Sequence, residues 1–157
     1  MNHTEIAWDC GSGNGQAAVN LAEIFNKVFA TDASAKQIEH AIIHKNVSYS
    51  VQPSENTNFH DSSFDCVTVA QAIHWFDLKK FYNEVNRVLK PGGLLCVWGY
   101  TWFKISDDID EIVEKTLITS LKDYWAPQTK LLQDGFKDLV LPYKQIVVPS
   151  FEIVVHW

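Results

Sequence analysis

The chain has 157 residues, of which 46% are hydrophobic and 20% are charged, and its formal net charge is −6. That length suits one domain with a substantial core. Because phosphate binding needs clustered lysines and arginines, the acidic balance argues against a nucleic-acid partner. No apolar stretch approaches the ~20 residues of a membrane span, and the first residues lack the pattern of a signal peptide, so we expect no membrane partner.

Strands and helices alternate along the first 100 residues, which is typical of a parallel sheet with helices on both faces. An apolar run at 6–8 predicts the first strand, and a second run at 28–30 predicts the second strand, which ends in Asp32. Between them, apolar residues recur at helical spacing from Ala18 to Val28. The sequence therefore begins with a strand, a helix and a second strand.

The next segment carries a helix start. Ser34 and Gln37 have the spacing of a capping box. The buried stripe of this predicted helix consists of Ile38, Ala41 and Ile42.

Three further strands are predicted, at 47–51, 66–70 and 94–98. Asp77 is placed to cap a helix between the last two of them, and the Lys-Pro-Gly-Gly segment at 90–93 stops that helix. Because 94–98 is a continuous apolar run, we expect a strand buried on both faces.

The pattern changes beyond Tyr100. Asp107 opens a helix with acidic residues in its first turn, a favourable arrangement for the helix dipole, and the segment 124–127 breaks it. Two strand-like runs, 146–148 and 151–155, follow near the end.

The three cysteines, Cys10, Cys66 and Cys96, lie at or in predicted strands. An odd number of cysteines in such positions favours buried, reduced side chains over a disulfide framework. The expected location is the cytoplasm.

The loop after the first strand carries glycines at 11, 13 and 15. Glycine lets a backbone adopt positive φ and approach a ligand closely. The dinucleotide pattern G-x-G-x-x-G fits poorly, because the third glycine comes one residue early and Gln16 stands where that pattern needs glycine. Asp9 would also repel a pyrophosphate, so a cationic, nucleotide-like ligand is favoured over a nicotinamide dinucleotide.

Four segments in this order resemble the class I S-adenosylmethionine-dependent methyltransferases. The residues 9–15 resemble the family's D-x-G-x-G-x-G motif, 63–68 its fourth strand, and 87–93 its R-x-L-K-P-G-G motif. The segment 70–76 is similar to the A-x-A-x-H-W-F of the subgroup that includes trans-aconitate methyltransferase-like proteins.

The resemblance implies an α/β fold with a doubly wound, Rossmann-like, mostly parallel sheet of order 3-2-1-4-5. Residues 1–100 would form the S-adenosylmethionine-binding core, and 101–157 a partial insert or substrate cap. The family's strands six and seven have no counterpart here, and we expect the chain to be truncated at both ends. Whether 146–155 substitute for those strands stays open.

The resemblance also implies S-adenosylmethionine as cofactor, with Asp9 and the amides of the glycine loop facing its methionine portion, Asp32 its ribose and Glu55 its adenine. Each role has an alternative: Asp9 as a turn-capping acid, Asp32 as a helix cap, Glu55 as an exposed loop residue, and Gln71 as an ordinary cap or loop residue. The candidate cofactor-binding residues are Asp9, Gly11, Ser12, Gly13, Gly15, Asp32, Glu55 and Gln71.

His74 is the candidate general base, because an amine or hydroxyl acceptor usually needs one. The alternative, which we favour, is that His74 and Trp75 shape the pocket wall without proton transfer. With Tyr100 they form the candidate substrate pocket. Other aromatic residues that could wall an apolar cavity are Phe76, Trp98, Trp102, Tyr124 and Trp125.

No metal site is predicted, because His40 and His44 lack a third ligand nearby. The leading hypothesis is a methyltransferase acting on a small-molecule acceptor, and the subgroup resemblance implies a carboxylate. The alternatives are a catalytically inactive or truncated cofactor-binding module and, less favoured, a nicotinamide oxidoreductase. The oligomeric state is left open.

Overall fold

The protein is described by a computed structural model that covers residues 5–100, 102–149 and 154. Its centre is a sheet of five parallel strands in the order β3-β2-β1-β4-β5, which confirms the predicted topology. The strands are β1 (Ile6–Cys10), β2 (Lys27–Asp32), β3 (Val47–Val51), β4 (Phe64–Ala70) and β5 (Leu89–Trp98).

Helices connect the strands and continue beyond the sheet. Three of them lie between strands, and the others follow β5. The helices are α1 (Gln16–Leu21), α2 (Ala35–Glu39), α3 (Leu78–Val88), α4 (Asp107–Val113) and α5 (Lys130–Gln133). A π-helical stretch, Glu114–Thr119, continues α4, and short 3-10 turns occupy Ile73–Trp75, Lys122–Tyr124 and Pro127–Thr129. In the part of the chain that the structure covers, no helix has both the length and the apolar character needed to span a bilayer.

The core lies on both faces of the sheet, because successive side chains of a strand point to opposite sides. On β1, Trp8 packs in one cluster with Phe64 and Phe81, whereas Ala7 packs in the other with Ala18. The indole N–H of Trp8 is fully buried and donates to Thr31 Oγ1 at 2.8 Å. This packing on both faces holds the central strands in place, and the polar loops begin where these strands end.

Both predicted helix caps are present. Ser34 Oγ accepts a hydrogen bond from the Gln37 amide at 3.4 Å, and Asp77 Oδ1 accepts one from the Lys80 amide at 3.3 Å. The predicted buried stripe of α2 is wrong. The helix ends at Glu39, and the Ile42 amide donates to the Asn14 carbonyl oxygen at 2.9 Å, which directs the chain back to the glycine loop.

The three residues of that stripe are therefore not buried: Ile38 and Ala41 are only half-buried, and Ile42 is 43% exposed.

The prediction that 94–98 is buried on both faces is also wrong. β5 is half-buried along these residues and Trp98 is 42% exposed. The reason is its position, because β5 pairs with β4 on one side only among the described residues. The strand starts at Leu89, directly after α3, so the 90–93 segment belongs to it.

The chain after α5 forms no strand in the described part. Ile146, Val147 and Val148 are irregular and largely exposed, so the strand expected at 146–148 is wrong. Of the second predicted run, 151–153 and 155 lie outside the described residues.

The three cysteines are free thiols. Cys10 and Cys66 are buried as predicted, whereas Cys96 is half-buried because it lies on the edge strand β5.

Candidate functional site

The strand order reverses between β1 and β4, and ligands of open α/β sheets bind where the carboxyl ends of the strands meet such a reversal. A cavity of about 450 Å³ lies at this edge. It is lined by three predicted cofactor residues, Gly11, Asp32 and Glu55, and by Trp75. The other lining residues are Ala33, Ser34, Gln37, Gln52, Ser54, Ala72 and Phe76. We call this the first cavity.

The glycine loop is built by close packing. Gly11 has a φ of 70°, and a Cβ at this position would lie 2.6 Å from the Cβ of Ala72. The Gly11 and Ser12 amides both donate to the Thr31 carbonyl oxygen, at 2.8 and 2.9 Å. These two amides are therefore bonded to the neighbouring strand β2, and the contact of the loop amides with the methionine portion of a cofactor stays a prediction.

Other loop groups have different surroundings. A Cβ on Gly15 would lie 2.1 Å from the hydroxyl oxygen of Tyr49 and would collide with it. Glycine at this position therefore makes room for the Tyr49 side chain. The hydroxyl of Ser12 is buried without a hydrogen-bond partner among the described residues.

Asp32 has two roles at once. Its Oδ2 accepts from the Gly13 amide at 2.9 Å, and its Oδ1 accepts from the Ser34 amide at 2.8 Å. It thus holds the glycine loop against the start of α2, in the manner of the capping alternative, and also lines the first cavity. A carboxylate oxygen has two lone pairs, so both oxygens can still accept from a ligand hydroxyl.

Asp9 lies fully buried in β1, two residues before Gly11, and it is not one of the residues lining the first cavity. Its Oδ1 accepts a hydrogen bond from the Thr68 hydroxyl at 2.9 Å, and its Oδ2 is buried with no hydrogen-bond partner among the described residues. Burial raises the pKa of Asp9 from 3.8 to about 6, and the interactions with the Thr68 hydroxyl and the Ala18 backbone offset only part of this. An unsatisfied buried carboxylate is costly, and a cation next to it would reduce that cost.

Glu55 reaches the first cavity from the loop after β3. Its Oε1 accepts from the Asp77 amide at 2.9 Å, which ties this loop to the start of α3. Sequence reasoning missed two polar neighbours, Gln52 and Ser54. Their position directly after the third strand is the signal that could have identified them, because the carboxyl ends of parallel strands share one edge.

A second cavity of about 280 Å³ lies where β5 ends and the later helices pack. Of the predicted residues, Gln71, Tyr100, Trp102 and Trp125 line it. The residues that sequence reasoning missed are Phe103, Thr129, Leu132 and Gln133. Their helical and loop segments carry no motif, so no local signal identified them.

Gln71 lies between the two cavities. It has a positive φ of 56°, its amide donates to the Trp98 carbonyl oxygen at 3.0 Å, and its Nε2 donates to the Tyr100 carbonyl oxygen at 3.0 Å. The structure thus places Gln71 in the second cavity, while the next residue, Ala72, lines the first.

His74 and Trp75 separate in the structure. Trp75 is 58% exposed and lines the first cavity. His74 is half-buried, its Nδ1 has no partner among the described residues, and it is not one of the residues lining either cavity. Burial lowers the pKa of His74. Within residues 5–100, 102–149 and 154, no three His, Cys, Asp or Glu side chains cluster so that they could hold a metal.

A protein-family model described as "Methyltransferase domain" matches residues 8–97. A provisionally assigned methyltransferase of Dictyostelium discoideum is 40% identical over 151 residues, which cover 94% of this chain and 54% of that protein. A probable S-adenosylmethionine-dependent methyltransferase of Saccharomyces cerevisiae is 25% identical over 86% of this chain and 48% of its own length. The chain thus spans about half the length of these relatives.

The solved structure of a provisionally assigned type II methyltransferase from Anaeromyxobacter dehalogenans superposes with a TM-score of 0.85. It is 34% identical in sequence, and the match covers 94% of this chain and 63% of that chain. The likeness therefore includes the segment after β5 as well as the sheet.

Proposed function

We propose, from the premise that the chain belongs to the class I S-adenosylmethionine-dependent methyltransferases, that it binds S-adenosylmethionine in the first cavity. The chain then forms the methyl-transferring part of an enzyme that acts on a small-molecule acceptor. The carboxylate acceptor implied by the trans-aconitate subgroup and the cytoplasmic location stay predictions.

The residues present fit this cofactor. The observation that carries the proposal is the meeting of Gly11, Asp32 and Glu55 in one cavity where the strand order reverses. The buried Asp9, two residues before Gly11, adds a negative charge near this cavity, and S-adenosylmethionine is a cation at its ammonium and sulfonium groups. The volume of the first cavity, about 450 Å³, lies in the range of about 300–1,000 Å³ typical of small-molecule sites. No lysine or arginine lines it, in agreement with a ligand that lacks phosphate groups.

Three carboxylates would hold the cofactor. Asp9 supplies the negative charge for the methionine portion, Asp32 the acceptors for ribose hydroxyls, and Glu55 an acceptor for the adenine amino group. The preformed bonds of Asp32 and Glu55 to backbone amides fix both side chains before any ligand binds, which lowers the entropic cost of binding.

When bound, S-adenosylmethionine supplies an electrophilic methyl group on its sulfonium sulfur. The chain's own contribution is to position the acceptor and to exclude water. Trp75 and Phe76 give the first cavity an apolar wall. A lowered pKa keeps His74 neutral and able to accept a proton, but its place outside the lining of both cavities favours its role in shaping the turn after β4.

Calorimetric titration with S-adenosylhomocysteine tests the proposal. We expect micromolar binding, weakened roughly 10-fold or more in Asp32→Ala and less in Glu55→Gln, because glutamine keeps the oxygen that accepts from the Asp77 amide. Glu39→Ala, an exposed carboxylate at the end of α2, is the matched control and should bind like the unmodified chain. A folded chain that does not bind S-adenosylhomocysteine would contradict the proposal.

One observation favours a second candidate function, that of a cofactor-binding module without turnover. It is the position of His74, the candidate general base, outside the described residues that line the two cavities. Release of S-adenosylhomocysteine from S-adenosylmethionine in the presence of hydroxyl, amine and carboxylate acceptors distinguishes the two functions. Binding without release on any acceptor supports the module.

A further inference from the structure

We propose that Cys66 and Cys96 form a two-thiol site for a thiophilic divalent cation, of the class of Zn²⁺ and Cd²⁺, which cross-links the edge strand β5 to β4. The site lies within the sheet and needs no cofactor in the first cavity. Three observations carry the proposal: the spacing of the two sulfur atoms, the register of the two strands and the apolar surroundings of the pair.

The spacing of the two sulfur atoms matches that of two ligands on one ion. The Sγ atom of Cys66 lies 3.9 Å from the Sγ atom of Cys96, and both thiols are free. Zn²⁺ binds each thiolate at about 2.3 Å with tetrahedral angles, so two thiolates on the same ion lie about 3.8 Å apart. The pair therefore has the separation that a shared ion needs.

The register of β4 and β5 argues against a disulfide between these cysteines. Cys66 pairs with Leu94 and Cys96 pairs with Thr68, so the two cysteines are diagonal neighbours. Strands about 4.8 Å apart with a rise of about 3.3 Å per residue place their Cα atoms roughly 8 Å apart. A disulfide cannot join Cα atoms more than about 7 Å apart without backbone movement. A bridging ion spans the longer distance, because it adds an atom between the two sulfur atoms.

The apolar surroundings of the pair favour a neutral complex. Cys66 is 3% exposed and belongs to the buried cluster of Ala7 and Ala18, and Cys96 packs against this cluster. A net charge is costly in such surroundings. Binding breaks two S–H bonds, forms two bonds between sulfur and the ion, and releases two protons to the solvent. The exchange of a divalent cation for two protons leaves the site neutral, whereas a monovalent cation would leave a negative charge.

The ligand atoms select the kind of ion. Thiolate sulfur favours soft ions over Mg²⁺ and Ca²⁺, which take oxygen ligands. Among the residues that the structure describes, no third His, Cys, Asp or Glu side chain joins the pair, so water completes the coordination. Cys96 is half-buried on the edge strand, which gives an ion access from the solvent. The hydrogen bond from the Cys66 thiol lowers the pKa of Cys96, which favours the thiolate form that binds metals.

Titration of the whole reduced chain with Cd²⁺ tests the proposal, because cadmium bound to thiolates gives an ultraviolet charge-transfer absorption that histidine or carboxylate ligands do not give. We expect one Cd²⁺ per chain with a roughly micromolar Kd. About two protons should be released per ion in a weakly buffered solution. Zn²⁺ should displace Cd²⁺, and Mg²⁺ should not.

Three variants show which thiols hold the ion. Cys96→Ser and Cys66→Ala each remove one ligand and should weaken Cd²⁺ binding roughly 30-fold or more. Because Cys96 is only half-buried, Cys96→Ser keeps the test decisive if Cys66→Ala fails to fold. Cys10→Ala is the matched control, since it removes a buried thiol of the other core cluster, and it should bind Cd²⁺ like the unmodified chain.

Thermal unfolding gives a readout that is independent of absorption. Saturating Zn²⁺ should raise the Tm of the unmodified chain and of Cys10→Ala, and it should leave the Tm of Cys96→Ser unchanged.

The proposal would be overturned by the absence of the charge-transfer band, by an undiminished band in Cys96→Ser, or by an equal loss of the band in Cys10→Ala. A disulfide between Cys66 and Cys96 after mild peroxide oxidation of the folded chain, detected by mass spectrometry, would also overturn it, because it would contradict the diagonal register on which the proposal depends.

Discussion

The residues before Tyr100 and those after it differ in how deeply their side chains are buried. Every buried hydrophobic residue that the structure describes lies between Ala7 and Val88. The helices after β5 contain no buried residue in their described part. The later segment packs on the core through half-buried side chains, namely Leu131, Phe136, Leu139 and Tyr143.

This difference in burial determines how rigid each cavity is. The first cavity is bounded by strand ends and by loops that bond to them, so its shape is set by the stability of the sheet. The second cavity has one wall on the sheet and the other on a segment with few deep contacts. Substitutions in the core should therefore change global stability, whereas substitutions after Tyr100 should act locally.

The largest effect is expected at the glycine loop. Gly11→Ala places a Cβ 2.6 Å from that of Ala72 at a positive φ, so we expect a loss of about 3 kcal/mol in the free energy of unfolding. Gly13→Ala is the matched control, because its φ is also positive but its nearest neighbour would be 3.9 Å away, and it should lose about 1 kcal/mol. Urea unfolding measures both, and equal losses would contradict the packing argument.

A buried ion pair of the core should contribute more to the free energy of unfolding than an exposed ion pair of the later segment. Glu84 is buried, and it accepts from the Thr57 amide at 2.8 Å and from Arg87 at 2.7 Å. Burial raises the pKa of Glu84, but these bonds outweigh it and hold the pKa below its ordinary value. Glu84→Ala should cost roughly 3 kcal/mol, since it leaves buried donors unpaired.

The control for that pair is Glu111→Ala, which breaks the exposed ion pair with Lys115. Thermal unfolding should show little change for this variant. A loss as large as that of Glu84→Ala would refute the contrast between the two regions.

The buried Asp9 should make stability depend on pH. Its pKa of about 6 in the folded chain exceeds the unfolded value of 3.8, so the folded state binds more protons between these values. The contribution of Asp9 to the free energy of unfolding is therefore highest at low pH. It falls as the pH rises through about 6, by roughly 2–3 kcal/mol in all.

Asp9→Asn removes this ionisation, so the variant should gain stability relative to the unmodified chain between about pH 4 and pH 7. Chemical unfolding at both pH values measures the gain, and titration should show weaker S-adenosylhomocysteine binding. A stability difference that is the same at both pH values would contradict the assignment.

The smallest effect is expected in the later segment. Phe136 is half-buried against the core cluster. Because only part of its ring is removed from water, Phe136→Ala should cost about 1 kcal/mol and speed proteolytic cleavage within 102–149. Tyr124→Ala, at an 87% exposed side chain, should leave the cleavage rate unchanged. If Phe136→Ala shifted global unfolding as far as Gly11→Ala, the segment would belong to the cooperative core.

The sheet order and the meeting of Gly11, Asp32 and Glu55 at one cavity were implied by the resemblance to the family. The positions of the five strands could be predicted from local signals, because each strand is a short apolar run. The two helix caps were predictable for the same reason, since Ser34 and Asp77 act within three residues of themselves.

What the sequence did not reveal depends on distant packing. The half-burial of β5 follows from its place at the edge, which its apolar composition does not encode. Gln71 lies in the second cavity because its amide bonds to Trp98 across the sheet. The inward bonds of the Gly11 and Ser12 amides likewise depend on Thr31 of the neighbouring strand. The division into residues 1–100 and 101–157 stays a prediction.

The central claim is that the first cavity holds the cofactor, and a crystal structure of the chain with S-adenosylhomocysteine tests it most directly. We expect the ribose within hydrogen-bonding distance of Asp32, the adenine near Glu55 and the ammonium group next to Asp9. Ligand bound elsewhere, or in the first cavity without contact to any of these carboxylates, would contradict the claim.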